Sequence, residues 1–195
     1  MKAFVTSAIA ALFALLILIT LPAAGEETVY EDTLRFHVRA ASDSTPDQNA
    51  KLLVRDAVLA TYGDALRTAT DKESAERYLA EHADAIRALA KETLAEEGLS
   101  YDVEVSLGEE WFETRRYGDV TLPAGKYTAL IITLGDGSGQ NFFCMLYPAL
   151  CIEPALGDTV DPASEAYDED AYLMVTKDGY AVKLRTLEIL SSFFR

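Results

Sequence analysis

The stretch TLRFHVRAASDSTPDQNAKLLVRDAVLATYG, residues 33–63, decides the fold because it joins a strand pattern directly to a helix pattern. In its first part apolar and polar residues alternate, which is the period of a β-strand with one apolar and one polar face. A strand is therefore predicted over residues 33–40. Its apolar positions are Leu34, Phe36 and Val38, and its polar positions are Arg35, His37 and Arg39.

A helix start follows the short loop at residues 41–44. Thr45 can cap the helix, Pro46 suits the first helical position, and Gln48 completes a capping box with Thr45. Apolar residues then recur at helical spacing as far as Gly63, a residue type that often ends helices. The sequence thus predicts one amphipathic helix after the strand.

A second helical region is predicted downstream. Thr70 and Glu73 form another capping box, and the helical pattern continues over residues 71–97. This pattern fits either one helix or two helices with a break near residues 81–84. In the second case Asp84 is the candidate cap of the second helix.

Strand and loop patterns make up most of the remainder. Residues 101–107 alternate, and residues 120–134 hold two strands around a Pro-Ala-Gly turn. The acidic segment 153–170, which contains Pro and Gly, is predicted to be a flexible linker. The other predictions are extended backbone at 111–117, a hairpin at 172–184 around Asp178-Gly179, and a short helix at 186–194.

These elements predict an α/β fold of the α+β type, in which a small mixed sheet is covered by two or three helices. The folded domain is expected to span residues 26–195. In the preceding segment, 1–25, Lys2 starts an apolar run that ends at Pro22 and is followed by small residues. This segment is either a signal peptide or an uncleaved membrane anchor, and both interpretations place the domain outside the cytoplasm. A buried helix of a cytosolic protein is the remaining alternative.

The charge balance excludes several classes of partner. The chain carries 17 Lys and Arg against 32 Asp and Glu, a net charge of −15. Such a surface repels nucleic-acid phosphates and anionic lipid head groups. We therefore expect no nucleic-acid binding, and membrane contact only through the N-terminal segment. The 50% hydrophobic content is enough for a packed core, which argues against disorder.

The two cysteines, Cys144 and Cys151, are a candidate disulfide, because an exported protein meets an oxidising environment. Two alternatives remain open: a pair of free buried thiols, and a Cys144 nucleophile, which would need a base and an orienting group. His37 and His82 are the only histidines, and neither has the spacing of a cysteine hydrolase or a zinc site. No metal site and no cofactor are predicted.

The glycine-rich loop 135–139 follows a predicted strand, which invites comparison with phosphate-binding loops. It lacks the Lys-Ser/Thr end of a P-loop, and Phe142 stands where a dinucleotide-binding loop needs its third glycine. The loop is therefore interpreted as a flexible turn.

A block of polar residues crosses from the strand into the helix start, and three hypotheses remain open for it. It is a network that pins strand to helix, a partner-binding surface, or a catalytic set with His37 as base, Asp43 as orienting group and Ser42 as nucleophile. The block consists of Arg35, His37, Ser42, Asp43, Asp47, Gln48, Lys51, Arg55 and Asp56. The candidate aromatic anchors, which are alternatively core residues, are Phe142 and Phe143 with the neighbouring Asn141.

Two blocks of this sequence carry a more specific signal. The first has RFHV at 35–38, SDS at 42–44, DQ at 47–48, KL at 51–52 and VRD at 54–56. The second has YGD at 117–119, LPAG at 122–125, the glycines of 135–139, NFFC at 141–144 and PALC at 148–151. In order and spacing these blocks resemble the stage II sporulation protein R family, over roughly residues 32–151.

The resemblance implies a non-enzymatic messenger that is made in the forespore and exported into the space between the forespore and mother-cell membranes. There it would signal to a membrane-embedded aspartic protease, which removes the pro-segment of a sigma factor. The sequence departs from the family pattern at Phe142 and Phe143, where tryptophans are usual, at Ala41, where asparagine is usual, and at Arg39, where an apolar residue is usual. These departures concern partner specificity more than fold.

The alternative function is an exported small hydrolase that uses Cys144 or His37. The state of the cysteines separates the two hypotheses, because a disulfide would exclude a Cys144 nucleophile. A passive structural protein of the cell envelope is a third class.

Overall fold

The computed structural model describes residues 5–7, 9–10, 12–13, 25–149 and 162–176. Its helices are α1 (Glu26–Glu31), α2 (Thr45–Arg67), α3 (Lys72–Glu81), α4 (Ala83–Glu96), α5 (Pro162–Ala166) and α6 (Glu169–Thr176). Its strands are β1 (Leu34–Arg39), β2 (Val103–Phe112), β3 (Arg115–Tyr117), β4 (Val120–Leu122), β5 (Gly125–Leu134) and β6 (Asn141–Tyr147). A small mixed sheet with several helices confirms the predicted fold class.

Several predicted segments fall outside this description. Most of the N-terminal segment 1–25 does so, as do the predicted hairpin beyond residue 176 and the predicted helix 186–194. Among the described residues, no helix combines the length and the apolar character that a bilayer span requires.

The main sheet has four strands in the order β2-β5-β1-β6. β1 lies in the middle, parallel to β5 and antiparallel to β6, and β2 pairs with the other side of β5 in the antiparallel sense. A parallel pair requires a long crossover connection, and here that connection contains α2, α3 and α4. β3 and β4 form a separate two-stranded hairpin.

Helices α2, α3 and α4 pack against one face of the sheet. The apolar side chains of β1 point into this layer and are fully buried, as their alternation predicts. Burial of each such side chain contributes roughly 1.5–3 kcal/mol. The helices contribute Ala50, Val54, Val58 and Leu66 from α2, Leu79 from α3, and Ile86, Ala90 and Leu94 from α4.

Both ends of α2 differ from the prediction. Ser44, not Thr45, is the N-cap, because the Ser44 backbone is extended and its Oγ accepts the Asp47 N–H at 3.4 Å. The helix also continues beyond Gly63. Leu66 in the added turn is buried in the core, and an internal glycine costs a helix only about 1 kcal/mol.

The region 71–97 forms two helices, which confirms the alternative with a break. The chain turns at His82, whose backbone N–H bonds back to the Tyr78 carbonyl at 3.2 Å. His82 also precedes α4 without any side-chain cap, so the predicted cap at Asp84 is wrong. Asp84 lies instead in the first turn of α4, where its carboxylate accepts a bond from Arg87 at 2.7 Å.

The capping box of α3 lies one residue later than predicted. Asp71 and Ser74 form it, rather than Thr70 and Glu73. The Asp71 carboxylate accepts the Ser74 N–H at 2.7 Å, and aspartate is a stronger N-cap than threonine.

Helices α1, α5 and α6 and the β3–β4 hairpin pack against the second face of the sheet. With that face they form a second apolar core, distinct from the one under α2, α3 and α4. Its buried members are Val29, Phe112, Val120, Leu122, Tyr127, Ala129, Met145, Ala163, Tyr167, Ala171, Met174 and Val175.

Helices α5 and α6 contradict two predictions. Residues 162–170, predicted as part of a flexible linker, and residues 172–175, predicted as a strand, are almost entirely helical. Apolar residues recur three or four positions apart in them and face the second core, whereas the acidic side chains between are exposed. The segment therefore has the composition of a linker but the period of a helix. The predicted linker before residue 162 lies outside the described residues.

Candidate functional site

The predicted polar block divides between two places in the fold. One part joins two loops at the end of β1, and we call it the loop clamp: Ser42, Asp43, Asp47, Gln48 and Lys51, with Gln140 and Tyr101. The other part lies on the second sheet face, and we call it the sheet-face cluster: Arg35, His37, Arg39, Glu110 and Phe143. Arg55 and Asp56 of the predicted block belong to neither part, because they pair with each other.

The loop clamp fastens the loop at 41–44 to the glycine-rich loop at 135–140. Three bonds run from Ser138 Oγ to the Ala41 carbonyl (2.8 Å), from the Gly139 N–H to the Ala40 carbonyl (3.0 Å) and from the Gln140 N–H to the Asp43 carboxylate (2.6 Å). The glycines permit this approach. Gly135 and Gly137 have positive φ, and a Cβ on Gly139 would collide with the Ser42 backbone.

Asp47 is the centre of the clamp on the helix side. Its carboxylate accepts bonds from Ser42 Oγ at 2.5 Å and from the Tyr101 hydroxyl at 2.7 Å. Both bonds lower the pKa of the Asp47 carboxyl, and the bond from Ser42 has the larger effect. The hydrogen bond between Tyr101 and Asp47 also raises the pKa of Tyr101. The carboxylate also lies in the first turn of α2, where the helix dipole favours negative charge.

Lys51 joins the clamp from the second turn of α2. The ammonium group is buried and donates to Gln48 Oε1 at 2.7 Å and to the Gln140 carbonyl at 2.9 Å. Gln48 in turn donates to the Ser42 carbonyl at 2.9 Å. Burial lowers the pKa of Lys51, and the nearby Arg55 cation adds to that effect.

Arg35 lies at the heart of the second core with 0% exposure. Its guanidinium lies over the rings of Phe112 at 4.3 Å and Tyr127 at 5.0 Å, and it donates to the Tyr117 hydroxyl at 2.8 Å. A further bond runs from Nε to the Cys144 carbonyl at 3.3 Å. Desolvated cation–π contacts of this kind contribute about 2 kcal/mol. Arg35 therefore ties β1, β6 and the β3–β4 hairpin together.

His37 is also buried, and its partner is Glu110 rather than any residue of the predicted block. Its Nδ1 lies 2.5 Å from the Glu110 carboxylate, and its ring stacks on Phe143 with centroids 4.4 Å apart. Arg39 pairs with the other oxygen of the same carboxylate. Burial lowers the pKa of His37, although hydrogen bonding to Glu110 opposes this shift. A side-chain hydrogen bond with Asn141 opposes the shift as well. The neutral ring then donates to Glu110 through Nδ1–H.

These contacts separate the members of the imagined catalytic set. Ser42 donates to Asp47, Asp43 accepts from the Gln140 N–H, and His37 binds Glu110. A base that activates a serine must hydrogen-bond to it, and no such bond joins His37 to Ser42 among the described contacts.

The second candidate nucleophile, Cys144, is in a disulfide. In β6 it pairs with Phe36 and belongs to the core under the helices, whereas His37 belongs to the opposite face. Cys151, the other cysteine of the sequence, lies outside the described residues, so the predicted pairing is not described. In the described part of the chain, no three His, Cys, Asp or Glu residues are grouped as metal ligands.

The candidate aromatic anchors lie on opposite faces of β6. Phe142 packs edge-to-face on Phe36 of the first core, with the Arg55 guanidinium 4.8 Å from its ring centroid. Phe143 packs with the second core, and Asn141 beside it is exposed. Both phenylalanines are half-buried, so each combines a core contact with an accessible edge. Arg55 also pairs with Asp56 at 2.7 Å, a surface pair of small energetic weight.

Sequence reasoning missed several members of the site, all of which reach it through long-range contacts. Glu110 and Phe112 lie in the site because β2 extends beyond its predicted end at residue 107. Tyr101 and Tyr117 reach Asp47 and Arg35 from other elements. The sequence offers no clear alternation for the longer strand, because Glu109 and Glu110 are both polar and Trp111 and Phe112 are both apolar.

The sequence is similar to one known protein family and to a characterised member of it. The family model described as stage II sporulation protein R (spore_II_R) matches residues 30–156, a range that contains the loop clamp and the sheet-face cluster. The stage II sporulation protein R of Bacillus subtilis (strain 168) is 38% identical over 121 residues, which are 62% of this chain and 54% of that protein. The chain thus matches about half the length of this relative. No solved structure matches.

Proposed function

The chain belongs to the stage II sporulation protein R family, and from this premise we propose that it is an exported messenger of endospore formation that activates a membrane-embedded aspartic protease. A role in sporulation follows from the family. In the proposal, the protein crosses into the space between forespore and mother cell, as a cleaved or a membrane-anchored form. The activated protease then removes the pro-segment of a sigma factor.

The observation that carries the proposal is the family match over residues 30–156, which spans every described strand. The contacts of the polar block support a messenger rather than a hydrolase. Each candidate nucleophile, Ser42 or Cys144, is engaged in a structural bond, and neither contacts His37 among the described residues. The contacts of the described residues thus contain no nucleophile–base pair that a hydrolase would use.

A messenger of this kind needs no chemistry of its own. An aspartic protease requires two aspartates that face each other, so a ligand that binds the assembled state better than the unassembled state switches the enzyme on. Moving the protease from mostly inactive to mostly active requires a preference of about 5.5 kcal/mol. An interface with a few arginine or aromatic anchors supplies energies of this size.

The experiment is reconstitution in cells that make only the protease, its pro-sigma substrate and this chain. Processing of the substrate should require the exported form. A variant that lacks residues 3–25 and stays in the cytoplasm is the matched control, and it should give no processing. Equal processing in cells without this chain would refute the proposed function.

A further inference from the structure

Beside the sheet-face cluster, one residue of β3 and two residues of β6 form a charged and aromatic surface. Arg115 of β3 is exposed, and its guanidinium lies 4.5 Å from the ring centroid of Phe143. Phe143 is half-buried because its ring also stacks on His37, and Asn141, two residues earlier on β6, is exposed. We call Arg115, Phe143 and Asn141 the docking patch.

The local charge of this patch is opposite to that of the whole protein. The chain has a net charge of −15, but beside the patch the only anion of the cluster, Glu110, is shared by Arg39 and the buried His37. Arg115 forms no ion pair with any described residue. A guanidinium that pairs with no described carboxylate is thus presented on a protein of net negative charge.

We propose that the docking patch binds a carboxylate-bearing segment of the protease on its outer side, an inference that rests on the proposed function. A guanidinium held against an aromatic ring suits bidentate binding of a carboxylate. The exposed amide of Asn141 also hydrogen-bonds to His37, and its remaining donor or acceptor can bind a peptide group. A bilayer is a poor source of the anion, because the acidic body is repelled by anionic lipid head groups.

The neighbouring Arg116 provides a matched control. Arg116 follows Arg115 in β3 and is also exposed. It bonds to the Gly118 carbonyl at 2.9 Å and pairs with Asp119 at 4.0 Å. Arg115→Glu and Arg116→Glu change the net charge by the same amount, so any effect of overall charge is equal in the two variants. Only Arg115→Glu reverses the charge that lies beside Phe143.

The test measures substrate processing in the reconstituted cells with the full exported chain. We expect Arg115→Glu to reduce processing about tenfold or more, as for a central arginine of an interface, and Arg116→Glu to stay within about twofold of wild type. Thermal melts of both purified variants should match wild type, which excludes misfolding. Replacing one acidic residue on the outer side of the protease with Arg should restore processing by Arg115→Glu.

Three outcomes would overturn the assignment while leaving the proposed function intact. These are full processing by Arg115→Glu, equal loss in both variants, and rescue by none of the acidic substitutions in the protease. Absence of processing with the wild-type chain is a different result. It refutes the proposed function, and with it the assignment that rests on that function.

Discussion

Replacement of Gly139 by alanine probes the loop clamp at its closest approach. The added Cβ would enter the space of the Ser42 backbone, and neither side of that contact is a flexible side chain. Gly139 is not one of the glycines with positive φ, so alanine would not meet left-handed backbone strain here. The perturbation is therefore purely steric, and it separates the two loops.

The expected cost follows from the two effects of that separation. Overpacking of a tight contact costs about 1–3 kcal/mol. Moving the loops apart also breaks the bond from the Gly139 N–H to the Ala40 carbonyl, which contributes about 1 kcal/mol. The free energy of unfolding should thus fall by about 3 kcal/mol. In a domain of this size this corresponds to a decrease in Tm of about 6–12 °C.

The assay is urea and thermal denaturation of the purified domain, with Gly108→Ala as the control. Gly108 has no atom within 4 Å of the position of an added Cβ, so Gly108→Ala should lie within about 0.5 kcal/mol of wild type. Hydrogen exchange at the Gln140 amide should accelerate in Gly139→Ala alone. Equal stability of the two variants would refute the steric argument.

Three further predictions concern pH, the cysteines and export. Because burial lowers the pKa of His37 from 6.5, the unfolded chain binds the proton more readily, so the free energy of unfolding should decrease as pH falls below about 6.5. His37→Phe should flatten this part of the stability–pH profile, and an unchanged profile would contradict the argument. Mass spectrometry of unreduced, alkylated protein should find Cys144 and Cys151 joined; two alkylated cysteines in protein from its native compartment would disprove the pairing. A reporter fused after Arg195 should be active outside the cytoplasm, and cytoplasmic activity would exclude export of the domain that begins after Gly25.

Local patterns predict the elements of this fold much better than they predict its contacts. The strand and helix around residues 33–63 can be predicted because their patterns depend only on residues that are close in sequence. The partner of His37 cannot be predicted in this way, because Glu110 lies near it only through the pairing of β2 with β5 and of β5 with β1. Helices α5 and α6 were obscured by their acidic and proline-containing composition, although Ala163, Tyr167 and Ala171 recur at helical spacing.

The position of β1 in the sheet determines when this protein can fold. β1 is the first of the described strands, yet both of its neighbours, β5 and β6, are the last two of them. A chain that emerges N-terminus first cannot complete the sheet until residue 147 has been delivered, so folding waits for contacts that are remote in sequence. We therefore expect no stable N-terminal folding intermediate built on β1. Until β5 has been made, β1 has neither of the strands that flank it in the described sheet.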